Sequence, residues 1–342
     1  MKKQIKVAQV GLGYIAQAEW LPFVSRLPNL ELVAVVDVVE ELAATIGRKL
    51  RVDYFTSLGD CLAKCDMDAV FITASTISHA DLITKSAEHG KHILVEKPLT
   101  EYIPDATECV KAAEKADVKL MVAYMRRHDS DCLRIKELVE NDEIGKINTA
   151  ISWVNQTYPS VYTQIFTPPK QGEPIGPGAQ GTAARRIWGM TTHHIDLLRF
   201  WLGEAGDVLF ARATEGSAPF VTIFEIGDGV VATHQTFDSS GQGEYLWLHG
   251  EYGSIQTRLW SPHMPYNFAE TAVFKKNEKT ESRLVIPRLN MYESQIKHFV
   301  ECIQEDKEPR STGEDSLKNL ELAAKIIQKM GLELPLKGQY SH

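Results

Sequence analysis

The segment Ile5-Lys6-Val7-Ala8-Gln9-Val10-Gly11-Leu12-Gly13-Tyr14-Ile15-Ala16 constrains this chain more than any other. A β-branched, apolar run breaks into Gly-x-Gly-x-x-Ala, then into apolar residues at helical spacing (Ile15, Ala18, Leu21). That order predicts strand, tight turn and helix. Gly11 permits the turn, Gly13 lets backbone approach a pyrophosphate, and small Ala16 lets the helix pack closely on the strand. The start of the helix offers unpaired N–H groups and the positive end of its dipole to the phosphates. A second apolar run, Leu32-Val33-Ala34-Val35-Val36, closes in Asp37, 24 residues beyond Gly13. This is near the spacing at which a carboxylate takes the ribose hydroxyls of NAD. No Lys or Arg stands between Asp37 and Arg48 to await a 2′-phosphate, so NAD is favoured over NADP.

A chain of 342 residues suggests two domains, on a soft prior of about 150 residues each. Its formal net charge of −8 argues against a nucleic-acid surface and for a soluble, cytoplasmic protein. No apolar run approaches the roughly 20 residues of a membrane span, so no membrane partner is expected. The Met1-Lys2-Lys3 start looks like the beginning of a leader, but a strand and a glycine turn follow it. Five cysteines, an odd number, give no disulfide framework. Cys61 and Cys65 are helix neighbours, and Cys109, Cys132 and Cys302 are scattered, a pattern of buried thiols in a reducing compartment and not of metal ligands.

After Asp37 the pattern alternates helix and strand. Helices are expected at Glu40 to Leu50, Ser57 to Leu62, His79 to Glu88 and Ala106 to Lys115. Strands are expected at Asp53 to Phe55, Asp68 to Thr73, His92 to Glu96 and Lys119 to Met125. This is the signature of a doubly wound parallel sheet, with ligands outside the carboxyl ends of its strands. Thr73 and Ser75, at one such end, are placed at the crevice. From residue 126 the pattern changes. Helices are expected at Asp131 to Asn141, Thr192 to Leu202, Tyr292 to Glu305 and Ser316 to Met330. Strands are expected at Ile147 to Gln156, Val208 to Ala213, Val221 to Ile226, Val230 to Phe237, Glu244 to His249 and Ile255 to Leu259. Turns such as Gly227-Asp228-Gly229 mark hairpins. The expected class is α/β: an N-terminal Rossmann domain (1–125), then an α+β domain (126–342) with a largely antiparallel open sheet. The helix over 316–330 is expected to pack back on the first domain. Pro168 to Gly181, rich in Pro and Gly, reads as a long functional loop.

Two places carry chemistry. Glu96-Lys97-Pro98 sets a lysine at the mouth of the crevice, fixed by a proline. His193-His194-Ile195-Asp196 sets His193 and Asp196 three apart on one helix face. His193 and His194 point about 100° apart on a helix and make a poor chelating pair, so no metal is expected. A general base of near-neutral pKa is the better use of His193.

These residues carry a family resemblance. Over nearly its whole length the chain resembles the Gfo/Idh/MocA oxidoreductases, of the glucose–fructose oxidoreductase and inositol dehydrogenase type. The likeness rests on Gly11 to Ala16, on Thr73 with His79-Ala80-Asp81-Leu82, and on Gly90 to Leu99 with Glu96-Lys97-Pro98 at its heart. It continues through Met125-Arg126-Arg127-His128-Asp129, Glu143 to Ile147 and His193-x-Ile195-Asp196-Leu197-Leu198-Arg199. It implies an NAD(P)-dependent dehydrogenase of a sugar, cyclitol or related polyol, with Lys97 and His193 catalytic. Lys97 would contact the substrate hydroxyl and the nicotinamide ribose, and His193 would take the hydroxyl proton. The resemblance adds Tyr14, Ile15, His79, Glu96 and Arg126 to Gly11, Gly13, Asp37, Thr73, Ser75 and Lys97 at the cofactor. It places Arg127, Asn155, Asp196 and Tyr245 with Lys97 and His193 at the substrate. It also implies a homodimer or homotetramer through the second sheet.

The family usually carries an Asp four residues before this His, where this chain has Gly189. By analogy with the serine-protease triad, losing an orienting Asp can lower turnover by about 10⁴. Ala74 also stands where Pro is common. Three accounts are open: Thr192 or a loop carboxylate such as Glu173 supports His193; Lys97 carries more of the proton transfer; or the chemistry is lost and the chain is a nucleotide-binding regulator. A glycoside-cleaving enzyme with tightly held NAD is a further alternative.

Overall fold

The apolar runs of the first part of the chain assemble into one parallel sheet. A computed structural model describes residues 3–155, 187–214, 219–237, 243–260, 262, 269–287 and 289–334. Strands β1 (Ile5–Val10), β2 (Leu30–Val36), β3 (Asp53–Phe55), β4 (Ala69–Ile72), β5 (His92–Val95) and β6 (Leu120–Val122) lie in the order β3-β2-β1-β4-β5-β6. Every pairing among them is parallel. Strand order reverses between β1 and β4, so the crevice outside their carboxyl ends is the topological switch point. β4 is buried at all four positions, as expected of a strand covered on both faces. Helical residues follow the glycine turn over 14–24, passing through a π-helical stretch, Ala16–Trp20, into α1 (Leu21–Val24). Four further helices connect the strands: α2 (Glu40–Leu50), α3 (Leu58–Lys64), α4 (His79–Glu88) and α5 (Ile103–Lys115).

The second sheet has eight strands, in the order β14-β13-β12-β11-β7-β10-β9-β8. They are β7 (Ile147–Asn155), β8 (Ala205–Ala213), β9 (Phe220–Ile226), β10 (Val230–Phe237), β11 (Gly243–Gly250), β12 (Gly253–Leu259), β13 (Glu270–Lys275) and β14 (Thr280–Leu284). The β7–β10 pair is parallel and the others are antiparallel. β13 and β14 lie outside the strands expected from the sequence. β14, Thr-Glu-Ser-Arg-Leu, is an exposed edge strand without alternating polarity, which leaves no pattern to read. Alternation along β10, with Ala232, His234 and Thr236 buried between more exposed neighbours, shows that one face of the sheet is covered.

Among the described residues the further helices are α6 (Ser130–Glu140), α7 (Thr192–Leu202), α8 (Met291–Glu305) and α9 (Gly313–Lys329). α9 packs on α5 and β6 of the first sheet and on α7 and β8 of the second. Its start is fixed by Thr312, whose hydroxyl accepts the Asp315 N–H. The loop from Pro168 to Gly181, with Glu173, lies outside the described residues.

A buried ionic network clamps these pieces together. Arg127, on the 3₁₀ turn Met125–His128 after β6, donates Nε to Asp196 Oδ2 (2.9 Å) and Nη2 to Asp196 Oδ1 (2.7 Å). Asn319 Nδ2 donates to the same Oδ1 (2.8 Å), and Arg199 Nη1 donates to Asn319 Oδ1 (2.7 Å). Asp315 accepts from Arg127 and Arg199 together. Arg127 and Asp196 were expected to touch substrate; the structure buries both and pairs each with the other. The physical reason is charge: two buried opposite charges at bidentate distance satisfy one another. Burial would lower the Arg127 pKa, but the Asp196 and Asp315 carboxylates outweigh it and raise it. Replacing Arg127 with Met leaves Asp196 buried without its cation. The expected loss, on the order of 3–5 kcal/mol of unfolding free energy, would be measured by urea denaturation. A loss below about 1 kcal/mol would contradict the clamp.

Candidate active site

The glycine turn is built as a dinucleotide cradle. Gly11 has φ +81°, and a Cβ on it would lie 2.4 Å from the Ala74 backbone nitrogen. Glycine is therefore required there for conformation and for close approach of β4. A Cβ on Gly13, in contrast, would meet nothing within 4 Å, which leaves open space over the turn. Asp37 closes the far side: its Oδ2 accepts the Leu12 N–H (2.8 Å) and its Oδ1 the Val39 N–H (2.9 Å). The carboxylate is thus oriented beside the turn at the end of β2. These features fit a bound dinucleotide. Tyr14 and Ile15 are half-buried at the helix start, and Ser75 is exposed beyond β4.

Other residues expected at the cofactor hold the walls of this crevice. Thr73 Oγ1 donates to the Gly11 carbonyl (2.6 Å) and accepts from Gln9 Nε2 (2.7 Å). His79 is buried, with Nδ1 at 3.0 Å from the Pro98 carbonyl and Nε2 at 3.1 Å from the Ala74 carbonyl. It brackets the end of β4 against the turn that carries Lys97. Arg126 is also buried: Nη2 donates to Glu244 Oε1 (2.7 Å) and to the Trp260 carbonyl (2.6 Å), and Nη1 reaches Asp129. Its guanidinium braces β11, while its Nε has no hydrogen-bond partner among the described residues.

Lys97 lies near enough to His193 to act on its charge. Lys97 follows β5, with a cis peptide to Pro98. Glu96 anchors this turn, accepting from Trp20 Nε1 (3.1 Å) and from the Lys97 N–H (3.1 Å). His193 sits in the first turn of α7, which is tied to the same region by Trp188 Nε1 donating to the Thr100 carbonyl (3.3 Å). Tyr124 presents its ring edge-on to the His193 ring at 6.2 Å. Burial and then the Lys97 ammonium hold the His193 imidazole well below its usual pKa, while Glu244 opposes them. Burial likewise lowers the Lys97 pKa, with Glu96 pulling it back. A neutral imidazole beside a lysine whose charge is disfavoured suits proton abstraction from a hydroxyl. His193 Nδ1 is buried and has no hydrogen-bond partner among the described residues.

Tyr245 and Asn155 lie elsewhere. On β11 the period of two turns Glu244, Leu246 and Leu248 inward and Tyr245 outward. Tyr245 stacks on Trp153 of β7 at 3.8 Å, on the opposite face of the sheet from Glu244. Asn155 shares the parity of Trp153. Both were expected at the substrate; strand parity places them on the face of the sheet opposite Glu244. Conversely, Glu244 and His194 belong to the buried neighbourhood of His193 and were not expected there.

Residues 5–124 match the family model described as the oxidoreductase family, NAD-binding Rossmann fold; residues 136–333 match its C-terminal alpha/beta domain. The chain is 26% identical over 360 residues to the scyllo-inositol 2-dehydrogenase (NAD(+)) of Bacillus subtilis, covering 100% of this chain and 99% of that protein. Among solved structures it resembles an oxidoreductase from Agrobacterium radiobacter in complex with NAD+, L-tartaric acid and magnesium, with TM-score 0.79, 19% identity and coverage of 96% and 97%. It also resembles a 3-ketoreductase from Actinomadura kijaniata in complex with TDP-benzene and NADP, with TM-score 0.76, 20% identity and coverage of 95% and 97%.

The two glycines make separable predictions. Gly11→Ala should destabilise the fold by about 1–3 kcal/mol through backbone strain and closer contact with Ala74, read as a fall in Tm. Gly13→Ala should leave Tm near the parent value and weaken NAD binding, measured by calorimetry. Equal effects of the two on Tm would contradict the assignment.

Proposed function

This chain belongs to the Gfo/Idh/MocA oxidoreductase family, and on that premise we propose that it is an NAD-dependent dehydrogenase of a sugar, cyclitol or related polyol. The family makes it an NAD(P)-dependent oxidoreductase. What supports the finer reading is a buried His193 whose charged form is disfavoured by burial and by nearby Lys97, on the turn after β5. The nicotinamide, when bound, supplies the hydride acceptor. Lys97 orients and polarises the reacting hydroxyl, and His193 takes its proton. The full-length relative that acts on scyllo-inositol with NAD(+) supports a polyhydroxylated substrate. Asp37 supports NAD, because a 2′-phosphate there would meet a carboxylate, with no Lys or Arg before Arg48.

The same reading divides the chain near residue 125, with the second part forming the substrate side and the subunit interface. The outward face of the second sheet carries Trp153, Tyr245, Phe237 and Phe274, the last two 42% and 43% exposed. A large apolar face of this kind is characteristic of association. The chain is proposed to form a homodimer or homotetramer through it.

Lys97→Ala should lower kcat by on the order of 10²–10⁴, with NAD affinity within a few fold of the parent. Unchanged turnover would contradict the assignment. Asp37→Ala should weaken NAD and narrow the gap to NADP; a parent that binds both equally would contradict the cofactor reading. Light scattering should give a dimer or tetramer, dissociated by Trp153→Asp, and a monomeric parent would overturn the interface.

A further inference from the structure

The segment between α8 and α9 returns along β6, the last strand of the first sheet, and carries one arginine into a pair of histidines. The Val122 N–H donates to the Ser311 carbonyl (2.9 Å), and Ser311 Oγ donates to the Val122 carbonyl (2.6 Å). One residue earlier, the Arg310 N–H donates to His298 Nε2 on α8 (3.1 Å). Arg310 Nη1 donates to His128 Nδ1 on the turn after β6 (3.0 Å). The two imidazoles stand 5.0 Å apart, centre to centre. The Arg310 carbonyl accepts from Nη1 of Arg127, the clamp arginine. His128 is buried and His298 half-buried.

These contacts set the protonation of both rings by geometry alone. A backbone N–H and a guanidinium can only donate, so each must meet a ring nitrogen that carries no proton. His298 is therefore neutral with Nε2 as acceptor, and His128 is neutral with Nδ1 as acceptor. The other His128 nitrogen, Nε2, is buried without a hydrogen-bond partner among the described residues. A proton gained at either acceptor nitrogen breaks its bond and sets an imidazolium against the Arg310 guanidinium. The charged and titratable groups around the pair come from each neighbouring element. Arg127 stands on the turn, held by Asp196 and Asp315. Glu301 and Cys302 stand on α8, Lys307 just beyond it, and Lys119 just before β6, paired with Asp306 (2.8 Å). Cys302 Sγ lies 3.4 Å from His298 Nε2 and donates to the Glu308 carbonyl; burial pushes this thiol's pKa up, so it adds no charge. Among the described residues no carboxylate forms an ion pair with either imidazole to offset a gained proton.

We propose that His128, His298 and Arg310 form an acid-sensitive latch on the Arg127–Asp196 clamp. With both imidazoles neutral, Arg310 is held from two sides and its carbonyl is presented to Arg127. Protonation of either imidazole releases Arg310 and loosens the segment that braces Arg127. The surroundings favour the neutral rings. Burial, then Arg310 and Lys307, bring the His298 pKa down to about 4. Burial, then His298, Arg310 and Arg127, hold His128 well below the ordinary imidazole range. Both values lie below the unfolded one of about 6.5, so in that interval the unfolded chain binds more protons than the folded one. The stability that the latch contributes is complete above about pH 6.5 and is lost as pH falls toward about 4. The loss is at most about tenfold in the folding equilibrium constant per pH unit for each imidazole.

Two measurements on the full-length chain, without substrate or cofactor, decide this. Urea denaturation at about pH 8 and about pH 5, on either side of the ordinary imidazole value, compares the parent with His298→Gln, whose amide oxygen can accept the Arg310 N–H at either pH. Between the two conditions the parent should lose at least about tenfold more of its folding equilibrium constant than the variant. An equal loss in both, which a merely structural role of His298 would give, overturns the latch. If His298→Gln does not fold, His128→Asn, with an amide oxygen in place of Nδ1, is read in the same way. Hydrogen exchange then separates the latch from global unfolding. The Arg310 amide should lose about tenfold or more of its protection between the two conditions and end below Thr73, whose N–H donates to the Val10 carbonyl inside the first sheet (2.8 Å). Arg310 protection that does not change, or that equals that of Thr73 in acid, would overturn the proposal.

Discussion

The bidentate pair between Arg127 and Asp196 is the interaction on which the site geometry depends. Arg127 stands on the turn that ends the first sheet, and Asp196 lies one helical turn beyond His193 on α7. Locking these two locks α7 against the strand ends that carry the crevice, and Asn319 and Asp315 extend the lock to α9. His193 is thus carried on a helix that is clamped one turn further along its length. A buried ion pair is weak evidence for net stability, since well-packed apolar residues can do as well. It is better evidence for a defined geometry, because each partner tolerates one arrangement of the other. Catalysis by proton abstraction requires that kind of definition, with reacting atoms held to fractions of an ångström.

Around that clamp, the crevice is assembled from residues whose polar groups face the protein. Thr73 ties β4 to the glycine turn, and His79 ties the β4 end to the Lys97 turn. Arg126 ties the end of β6 to β11. Thr73, His79 and Arg126, which were expected at the cofactor, brace the walls of the crevice. Lys97 and His193 sit in surroundings that disfavour the charged form of each. Environments that push such groups apart in pKa are a mark of acid–base sites.

The first sheet was legible because its signals are local. Strand, Gly11 turn, helix and Asp37 lie within a few dozen residues, and both faces of the sheet are covered, so its strands read as continuous apolar runs. Lys97 and His193 were legible as reactive residue types at informative positions, and the family likeness extended the reading to the rest of the chain. What escaped depends on distance and parity. Arg127 and Asp196 are 69 residues apart, and nothing local tells a paired charge from one awaiting substrate. In Tyr245-Leu246-Trp247-Leu248 both parities are apolar, so the strand does not announce that Glu244 points inward and Tyr245 outward. β14 is a polar edge strand, where hydrogen bonding to β13 and not burial defines the element.

The pocket is proposed to perform hydride chemistry on a polyol with NAD. The most direct measurement is NADH formation by the purified chain across inositols, sugars and sugar acids, with NAD and NADP supplied in parallel. Turnover with at least one polyhydroxylated substrate and a clear preference for NAD are expected. Firm dinucleotide binding with no NADH formed from any of them would contradict it, and would leave a nucleotide-binding regulator, or an enzyme that never releases its cofactor, as the reading to pursue.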